Sequence, residues 1–468
     1  LKLTASQVLA ALADLKPSPS GPFKERLFEG LSIDSRQVRP GQLFLALQGE
    51  RFDGHDFVRQ ALERGALAAV VRAGWARGQD LPREAPLIET TDTLKALGRL
   101  ARYWRLRHQV PVLAVSGSMG KSTVKEMIAA IVGQRRRVLK NEGNLNNLIG
   151  LPLTLLDLEE TVQAAVVELG ISLKGEMEEL VDIARPQVGL LTNVAPVHVE
   201  GLGGLEGIAE AKTALWRGLG PEGTAVVNLD DELLRRAAGE FKGRRLTFGR
   251  AAEADVRLIE SGPANGQGLQ GTLELAGRRY PFLVPALGRF QALNAAAAAA
   301  GALALGAPPE DVAPGLAGFA PLKHRLRTLV GRKGINVLDD AYNANPVAMV
   351  EALDSLRRLC PGRARAAAIL GQMAELGPEG LVAHQELGRA AAGAGLDLLV
   401  ALGPFAEAVA EEARRAGLSQ AHVVQEPAEA VEIVLDRLGA GDWVLVKGSR
   451  VARLERAVAA LAGEGGAG

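Results

Sequence analysis

The sequence predicts an α/β protein of three domains, two of them built on doubly wound parallel sheets. Three observations lead there. The chain has 468 residues, well past the size at which one hydrophobic core stops growing, and roughly 150 residues per domain gives about three domains. From about residue 110, apolar runs of strand length alternate with helix-length segments, which argues a mostly parallel sheet. Near Pro321 that alternation starts again, which reads as an independent Rossmann-like domain.

The N-terminal domain, residues 1–95, mixes short strand-like runs such as Gln42-Leu43-Phe44-Leu45-Ala46-Leu47 with a helical stretch from Asp56 to Arg64, the pattern of a small α/β unit. The segment Gly74 to Pro86 collects glycine, proline and charge, and a helix is expected from about Thr93. The central domain, 96–320, draws its buried strands from Val110 to Val115, Ala164 to Leu169, Val188 to Val194 and Thr224 to Asn228. Gly262 to Tyr280 is glycine-rich with short alternating runs, an antiparallel excursion instead of another crossover. The alanine run Asn294 to Gly306 is too short and too weakly hydrophobic to span a bilayer and reads as a tightly packed core helix. In the C-terminal domain, 321–468, strands are expected at Ile335 to Leu338, Ala366 to Leu370, Leu396 to Leu402 and Trp443 to Val446.

Bulk properties exclude several functional classes. The composition, 47% hydrophobic and 23% charged, is that of an ordinary soluble globular protein. Lys plus Arg and Asp plus Glu each number 54, so no bulk field favours nucleic acid or an anionic membrane, and an anionic ligand must be met locally. Cys360 is the single cysteine, which excludes an intramolecular disulfide framework and fits a reducing cytoplasm. The first eight residues, Leu1 to Val8, lack the features of a signal peptide. A cytoplasmic protein is therefore expected, acting as a monomer, without membrane insertion.

The chemistry starts at Gly117-Ser118-Met119-Gly120-Lys121-Ser122-Thr123. A buried strand runs into this loop and a helix follows, the order that phosphate binding needs. Glycines let backbone N–H groups turn toward phosphate oxygens, and the helix N-terminus adds partial positive charge. Lys121 is placed to reach the terminal phosphates of ATP and the Ser122 hydroxyl to ligate Mg²⁺. The spacing departs from the common GxxxxGK[ST] loop, because Gly117 lies only three residues before Gly120. By pattern alone a plain glycine-rich turn is the alternative.

That shortened loop resembles the one of the Mur ligases, and other matches follow in the family's order. They are Asn144-Leu145-Asn146-Asn147-Leu148-Ile149-Gly150-Leu151-Pro152, Val167-Glu168-Leu169-Gly170, Thr192-Asn193-Val194-Ala195-Pro196-Val197-His198 and Ala211-Lys212. Two further stretches, Leu338 to Pro346 and Gly371 to Gly377 with His384 beyond, resemble the branch that adds a D-alanyl dipeptide. Asp34-Ser35-Arg36 and Asp53 to Phe57 look like that branch's UDP-binding domain, and Lys447-Gly448-Ser449-Arg450 like its C-terminal signature. Two departures stand out. Phe290-Gln291 replaces the family's usual His-Asn pair while Asn294 is kept, and His324-Arg325 replaces its usual Gly-Arg.

The resemblance implies an ATP-dependent amide ligase that joins D-alanyl-D-alanine to UDP-N-acetylmuramoyl-tripeptide through an acyl phosphate. ATP and Mg²⁺, two ions of it, are the implied cofactors. Glu168 ends an apolar strand at the carboxyl edge of the sheet, where a Mg²⁺ ligand or a solvated, helix-capping glutamate would each fit. His198 is implied as a ligand of a second metal, although an isolated histidine is more often structural. Lys212 would ordinarily be a solvated lysine, whereas the family's matching residue carries a carbamate. Arg325, Asn294, Asp340, Tyr342 and Asn343 are implied to contact the nucleotide, with a simple Asn/Pro turn as the alternative for the last three. Ser35 and Arg36 are expected to bind the UDP moiety. Asn144, Asn146 and Asn147 are expected to line the path of the muramoyl peptide, or to cap loops. A reaction divided between domains also implies closure that shields the acyl phosphate from water. The competing readings are a sister ligase, a folate polyglutamate ligase or a small-molecule kinase. No Asp-Asn-Pro-Arg stretch of the diaminopimelate- or lysine-adding branch occurs, and folate ligases lack such an N-terminal domain.

Overall fold

The computed structural model describes the chain apart from residues 23–25, 50–51, 82–83, 197–198, 265–267 and 464–468. Two compact units form. One comprises Leu1–Asn193, Ala209–Thr247 and Ala298–Asp311, and the other Val194–Ile208, Phe248–Ala297 and Val312–Gly468.

In the first unit, strands β1 (Ser18–Ser20), β2 (Leu31–Ser32), β3 (Leu43–Leu45), β4 (Ala68–Arg72) and β5 (Leu87–Thr90) make a sheet of order β1-β5-β4-β3-β2. Only the β1–β5 pair is antiparallel. The expected helix from Asp56 opens as a 3₁₀ turn, Gly54–Phe57, before becoming α-helical at Val58–Glu63. Asp53 causes that opening, since its carboxylate accepts the His55 N–H and caps the turn. Helix α1 (Thr93–Leu106) begins at the expected residue because Asp92 caps it through the Lys95 N–H.

The same unit holds a second, parallel set of strands. These are β6 (Val112–Ser116), β7 (Val138–Lys140), β8 (Ala164–Glu168), β9 (Val188–Leu191) and β10 (Thr224–Asn228), in the order β10-β9-β6-β8-β7. Strands β6, β8, β9 and β10 are buried along their whole length. Sheets covered on both faces select such unbroken Val, Leu and Ala runs instead of alternation. Each fully buried Val or Leu contributes about 1.5–3 kcal/mol. The chain leaves β6 for the β7 edge, returns to β8, then crosses to β9. Parallel order puts the carboxyl ends of β6, β8 and β9 on one edge, where doubly wound sheets bind ligands.

The second unit contains an antiparallel meander, β11 (Val256–Pro263), β12 (Leu269–Leu275) and β13 (Arg278–Val284). This is the antiparallel excursion expected around Gly262 to Tyr280, longer at both ends. Ala276 and Gly277, both at positive φ, close its last hairpin, the geometry that matches strand twist. Its other sheet comprises β14 (Arg327–Val330), β15 (Asn336–Asp340), β16 (Ala366–Leu370), β17 (Leu398–Leu402), β18 (Ala421–Val424) and β19 (Trp443–Lys447). The order is β14-β15-β19-β16-β17-β18, and only edge strand β14 is antiparallel. The alanine run becomes a buried helix, Phe290–Ala304. No helix among the described residues is long and apolar enough to cross a membrane.

Candidate active site

Three strand ends of the first unit converge on one loop. Strand β6 runs into Gly117, whose φ of +136° lies outside the range of ordinary L residues. A Cβ on Gly117 would lie 2.0 Å from the Thr192 hydroxyl, so the backbone approach itself demands glycine. Gly120, at φ +80°, then delivers the chain into helix α2, Lys121–Val132. The loop is held from the end of β9. The Thr192 hydroxyl donates to the Met119 carbonyl at 2.6 Å and the Asn193 amide to the same carbonyl at 3.2 Å. The Met119 N–H donates to Asn193 Oδ1 at 2.9 Å, and the Ser118 N–H to the Asn193 carbonyl at 2.9 Å. Lys121 and Ser122 are half-buried at the first turn of α2, and Thr123 is buried behind them. Lys121 Nζ donates to the Ser118 carbonyl at 3.2 Å. A lysine in the first turn of a helix, beside the partial positive charge of its N-terminus, is an arrangement that suits a polyphosphate.

Glu168, the last residue of β8, is 2% exposed. Its Oε1 accepts from the Asn146 amide at 2.8 Å, while Oε2 is buried without a hydrogen-bond partner among the described residues. A carboxylate oxygen so placed costs free energy unless a ligand satisfies it. No cluster of three His, Cys, Asp or Glu side chains occurs among the described residues. Mg²⁺ binds through one or two carboxylates together with phosphates and water. The unsatisfied carboxylate oxygen of Glu168 is a donor of the kind that Mg²⁺ takes.

Lys212 is 2% exposed and its Nζ donates to the Gly117 carbonyl at 3.0 Å. Burial pushes its amine well below the ordinary lysine range; the Lys121 charge adds to the shift and Glu168 opposes it. Both burial and the Lys121 charge therefore disfavour its ammonium form. His198 lies outside the described residues.

In the second unit, Asp340 ends β15 and is buried against Lys447 at the end of β19, forming an ion pair with it. Burial raises the Asp340 carboxyl above its usual range despite Lys447. Lys447 Nζ also donates to the Asn343 carbonyl at 3.0 Å. The Arg325 guanidinium lies 4.1 Å from the centre of the Tyr342 ring, a cation–π contact. Asn294 is buried and donates to Gln291 Oε1 at 3.0 Å. The glutamine that departs from the family pattern thus holds the asparagine that is kept.

Comparison with known proteins decides the family. The Mur ligase family catalytic domain matches residues 27–105, the Mur ligase middle domain 115–302, and the Mur ligase glutamate ligase domain 324–450. The UDP-N-acetylmuramoyl-tripeptide–D-alanyl-D-alanine ligase of Bacillus subtilis is 35% identical, over 93% of each chain. The chain belongs to the Mur ligase family. A crystal structure of MurF from Acinetobacter baumannii superimposes on this Mur ligase with a TM-score of 0.87, at 31% identity and 99% coverage of both chains. MurF ligase from Thermotoga maritima in complex with ADP gives 0.82, at 29% identity, covering 93% of this chain and 97% of that one. The architecture of this Mur ligase is the three-domain α/β one of those structures.

The structure brings Gly117, Lys121, Glu168 and Lys212 of this Mur ligase together, and it gives other expected residues definite partners. Asn146 lies on Glu168. Asn147 Oδ1 accepts the Ile149 and Gly150 N–H groups, where the chain enters the helix Gly150–Leu156. Asn144 is exposed. The buried Ser35 hydroxyl donates to Gln60 Oε1 at 2.7 Å. Arg36, exposed, forms a fork to Asp34 at 3.0 and 2.8 Å, and that bonding lowers the Asp34 carboxyl to about 2. Sequence reasoning quoted Thr192, Asn193 and Lys447 only as parts of motifs. Their roles as loop and strand-end anchors come from contacts across the sheets.

Proposed function

We propose that this chain is an ATP-dependent ligase that joins D-alanyl-D-alanine to UDP-N-acetylmuramoyl-tripeptide, as the names of its relatives describe for them. The observation that carries the reading is the meeting of buried Glu168 and buried Lys212 with the Gly117–Thr123 loop. A carboxylate is a poor electrophile. Its oxygen attacks the γ-phosphorus of ATP, ADP leaves, and an acyl phosphate remains. The dipeptide amine then attacks the acyl carbon, the C–N bond forms, phosphate departs and one proton is lost.

The chain's own groups bind and orient. Lys121 and the loop N–H groups neutralise the phosphates, which is most of what phosphoryl transfer asks of a protein. Ser122 and Glu168 would hold Mg²⁺, which when bound would supply charge neutralisation to the phosphates. We assign a second ion to His198 and Lys212. Lys212 would take part as a carbamate: its neutral amine adds to CO₂, a proton leaves, and a cation becomes an oxygen ligand. The low proton affinity of its buried amine supports that chemistry.

Arg325, Asn294, Asp340, Tyr342 and Asn343 are assigned to the nucleotide; Ser35 and Arg36 to the UDP moiety; and Asn144, Asn146 and Asn147 to the muramoyl peptide. The domains run 1–95, 96–320 and 321–468, and the reaction belongs in the cytoplasm. Phosphate release from ATP is expected only with both UDP-N-acetylmuramoyl-tripeptide and D-alanyl-D-alanine present. A stable phosphorylated product formed without the amine would make the protein a kinase instead.

A further inference from the structure

Glu168 stands where the ladder of its sheet gives out. Strand β7 pairs with β8 only as far as Lys140 opposite Val166. Beyond that point a side chain replaces the neighbouring backbone. Asn141, fully buried, accepts the Glu168 N–H at its Oδ1 at 2.8 Å and donates through Nδ2 to the Glu168 carbonyl at 3.1 Å. The second Nδ2 proton goes to the Leu145 carbonyl at 2.8 Å. An asparagine amide offers one acceptor oxygen and two donors, and here all are used. The amide acts as a detached peptide unit that extends the ladder by one residue on one side and fastens the 144–147 loop on the other. That loop returns the hold, because Asn146 donates to Glu168 Oε1 and its carbonyl accepts the Gly170 N–H at 2.8 Å.

Asn141 is itself held from helix α2. Lys125, 1% exposed, donates from Nζ to the Asn141 carbonyl and lies 3.1 Å from Glu126 Oε1. Glu126 in turn pairs with Lys140. Lys125 is four residues after Lys121, one helical turn along the helix that begins with Lys121 and Ser122. A buried lysine is tolerated when it is paired and hydrogen-bonded, and Lys125 is both, so it is held in one place between α2 and Asn141.

We propose that Lys125 and Asn141 are positioning residues that fix Glu168 relative to the helix carrying Lys121 and Ser122, and so set the affinity of the divalent-cation site. The chain of contacts runs from α2 through Lys125 Nζ, the Asn141 carbonyl and the Asn141 amide to both backbone groups of Glu168. Groups of this kind behind a metal ligand typically change metal affinity by about 10–100-fold when removed. The proposal rests on Glu168 being a cation ligand.

The test is Mn²⁺ binding to the full-length protein saturated with ADP, read by electron paramagnetic resonance, alongside ADP affinity without metal and thermal melting. Asn141→Ala is expected to weaken Mn²⁺ about tenfold or more with metal-free ADP affinity unchanged. Asn141→Thr, which restores one hydroxyl donor and acceptor, should lie between wild type and Asn141→Ala. Lys125→Met reaches the same clamp from the other end and should shift Mn²⁺ binding in the same direction. Wild-type Mn²⁺ affinity in folded Asn141→Ala or Asn141→Thr would overturn the proposal. So would equal loss of Mn²⁺ and metal-free ADP binding, which indicates general collapse of the loop. Glu168→Gln separates the two readings: if it leaves Mn²⁺ affinity unchanged, the ligand assignment fails and the clamp with it. If it weakens Mn²⁺ while the Asn141 and Lys125 variants do not, only the clamp fails.

Discussion

Lys212 donates its Nζ proton to the carbonyl of Gly117, 95 residues earlier in the chain, across 3.0 Å of buried space. A solvated lysine would gain nothing there, because burial and the charge of Lys121 both oppose the ammonium form. Lys212→Ala is therefore expected to lower kcat by about 10²–10³-fold, the usual loss when one electrostatic stabiliser of a transition state is removed. If the residue acts as a carbamate, a short added carboxylate such as acetate should restore part of the rate. Full activity in Lys212→Ala, or an absence of any rescue, would refute the carbamate.

The phosphate loop makes a second, steric prediction. Gly117 combines a φ of +136° with a Thr192 hydroxyl where its Cβ would be. Backbone strain of that kind costs about 1–3 kcal/mol in a residue other than glycine, and the clash adds to it. Gly117→Ala should weaken ATP binding by about fivefold or more, on the lower limit of that strain. Adding Thr192→Ala removes the hydroxyl contact but neither the strain nor the close approach of the residue-192 backbone nitrogen at 3.0 Å, so the double variant should regain part of the affinity. Calorimetric titration of the four proteins closes the cycle. Additive losses would show that the Thr192 contact is not what excludes alanine.

These two sites also show what the chain makes legible. Gly117 to Thr123 and Glu168 could be read because strands buried on both faces are unbroken apolar runs, and a polar residue at the end of one stands out. Lys212 needed the family resemblance, since a lysine on a helix carries no signal of its own burial. Asn141, and the pairing of Lys447 with Asp340, could not be found, because the partners lie 27 and 107 residues away and only the sheet brings them together. Strands β14 and β18 were invisible for another reason. They are the two edges of their sheet, partly exposed and mixed in composition, so they show neither a buried run nor a clean alternation.

His384 gives a pH dependence with a definite sign. Its Nε2 accepts the Met373 N–H at 2.9 Å, its Nδ1 faces the Gly380 carbonyl at 2.6 Å, and Phe405 stacks on the ring at 4.5 Å. These contacts hold the neutral tautomer with its proton on Nδ1. Burial depresses the imidazole below its ordinary range, only partly offset by the bond to Gly380. The unfolded chain thus takes up a proton near its usual value of about 6.5 while the folded chain does not. The contribution of His384 to stability is complete above that pH and declines as pH falls toward the folded value. Denaturant midpoints at pH 7.5 and 5.5 should differ more for the wild type than for His384→Gln. Equal differences would remove the assignment.

The Asp340–Lys447 pair joins the carboxyl ends of β15 and β19, and it is the anchor beneath Tyr342 and Asn343. Both side chains are nearly inaccessible to solvent, so each is the other's main compensation for lost hydration. Lys447 also fixes the Asn343 carbonyl, and Asp340 accepts the Leu326 N–H at 3.1 Å. Lys447→Met leaves a buried carboxylate without its cation, a change that costs about 3–5 kcal/mol when one partner of such a pair is removed. Because burial already raises the Asp340 carboxyl, loss of Lys447 should push it higher still. Adding Asp340→Asn removes the charge while keeping an acceptor for Leu326, so the double variant should be more stable than Lys447→Met alone. Thermal unfolding of the three variants at pH 7 measures both effects. If the double variant is no more stable than Lys447→Met, the loss belongs to the Lys447 contact with Asn343 and not to the stranded charge.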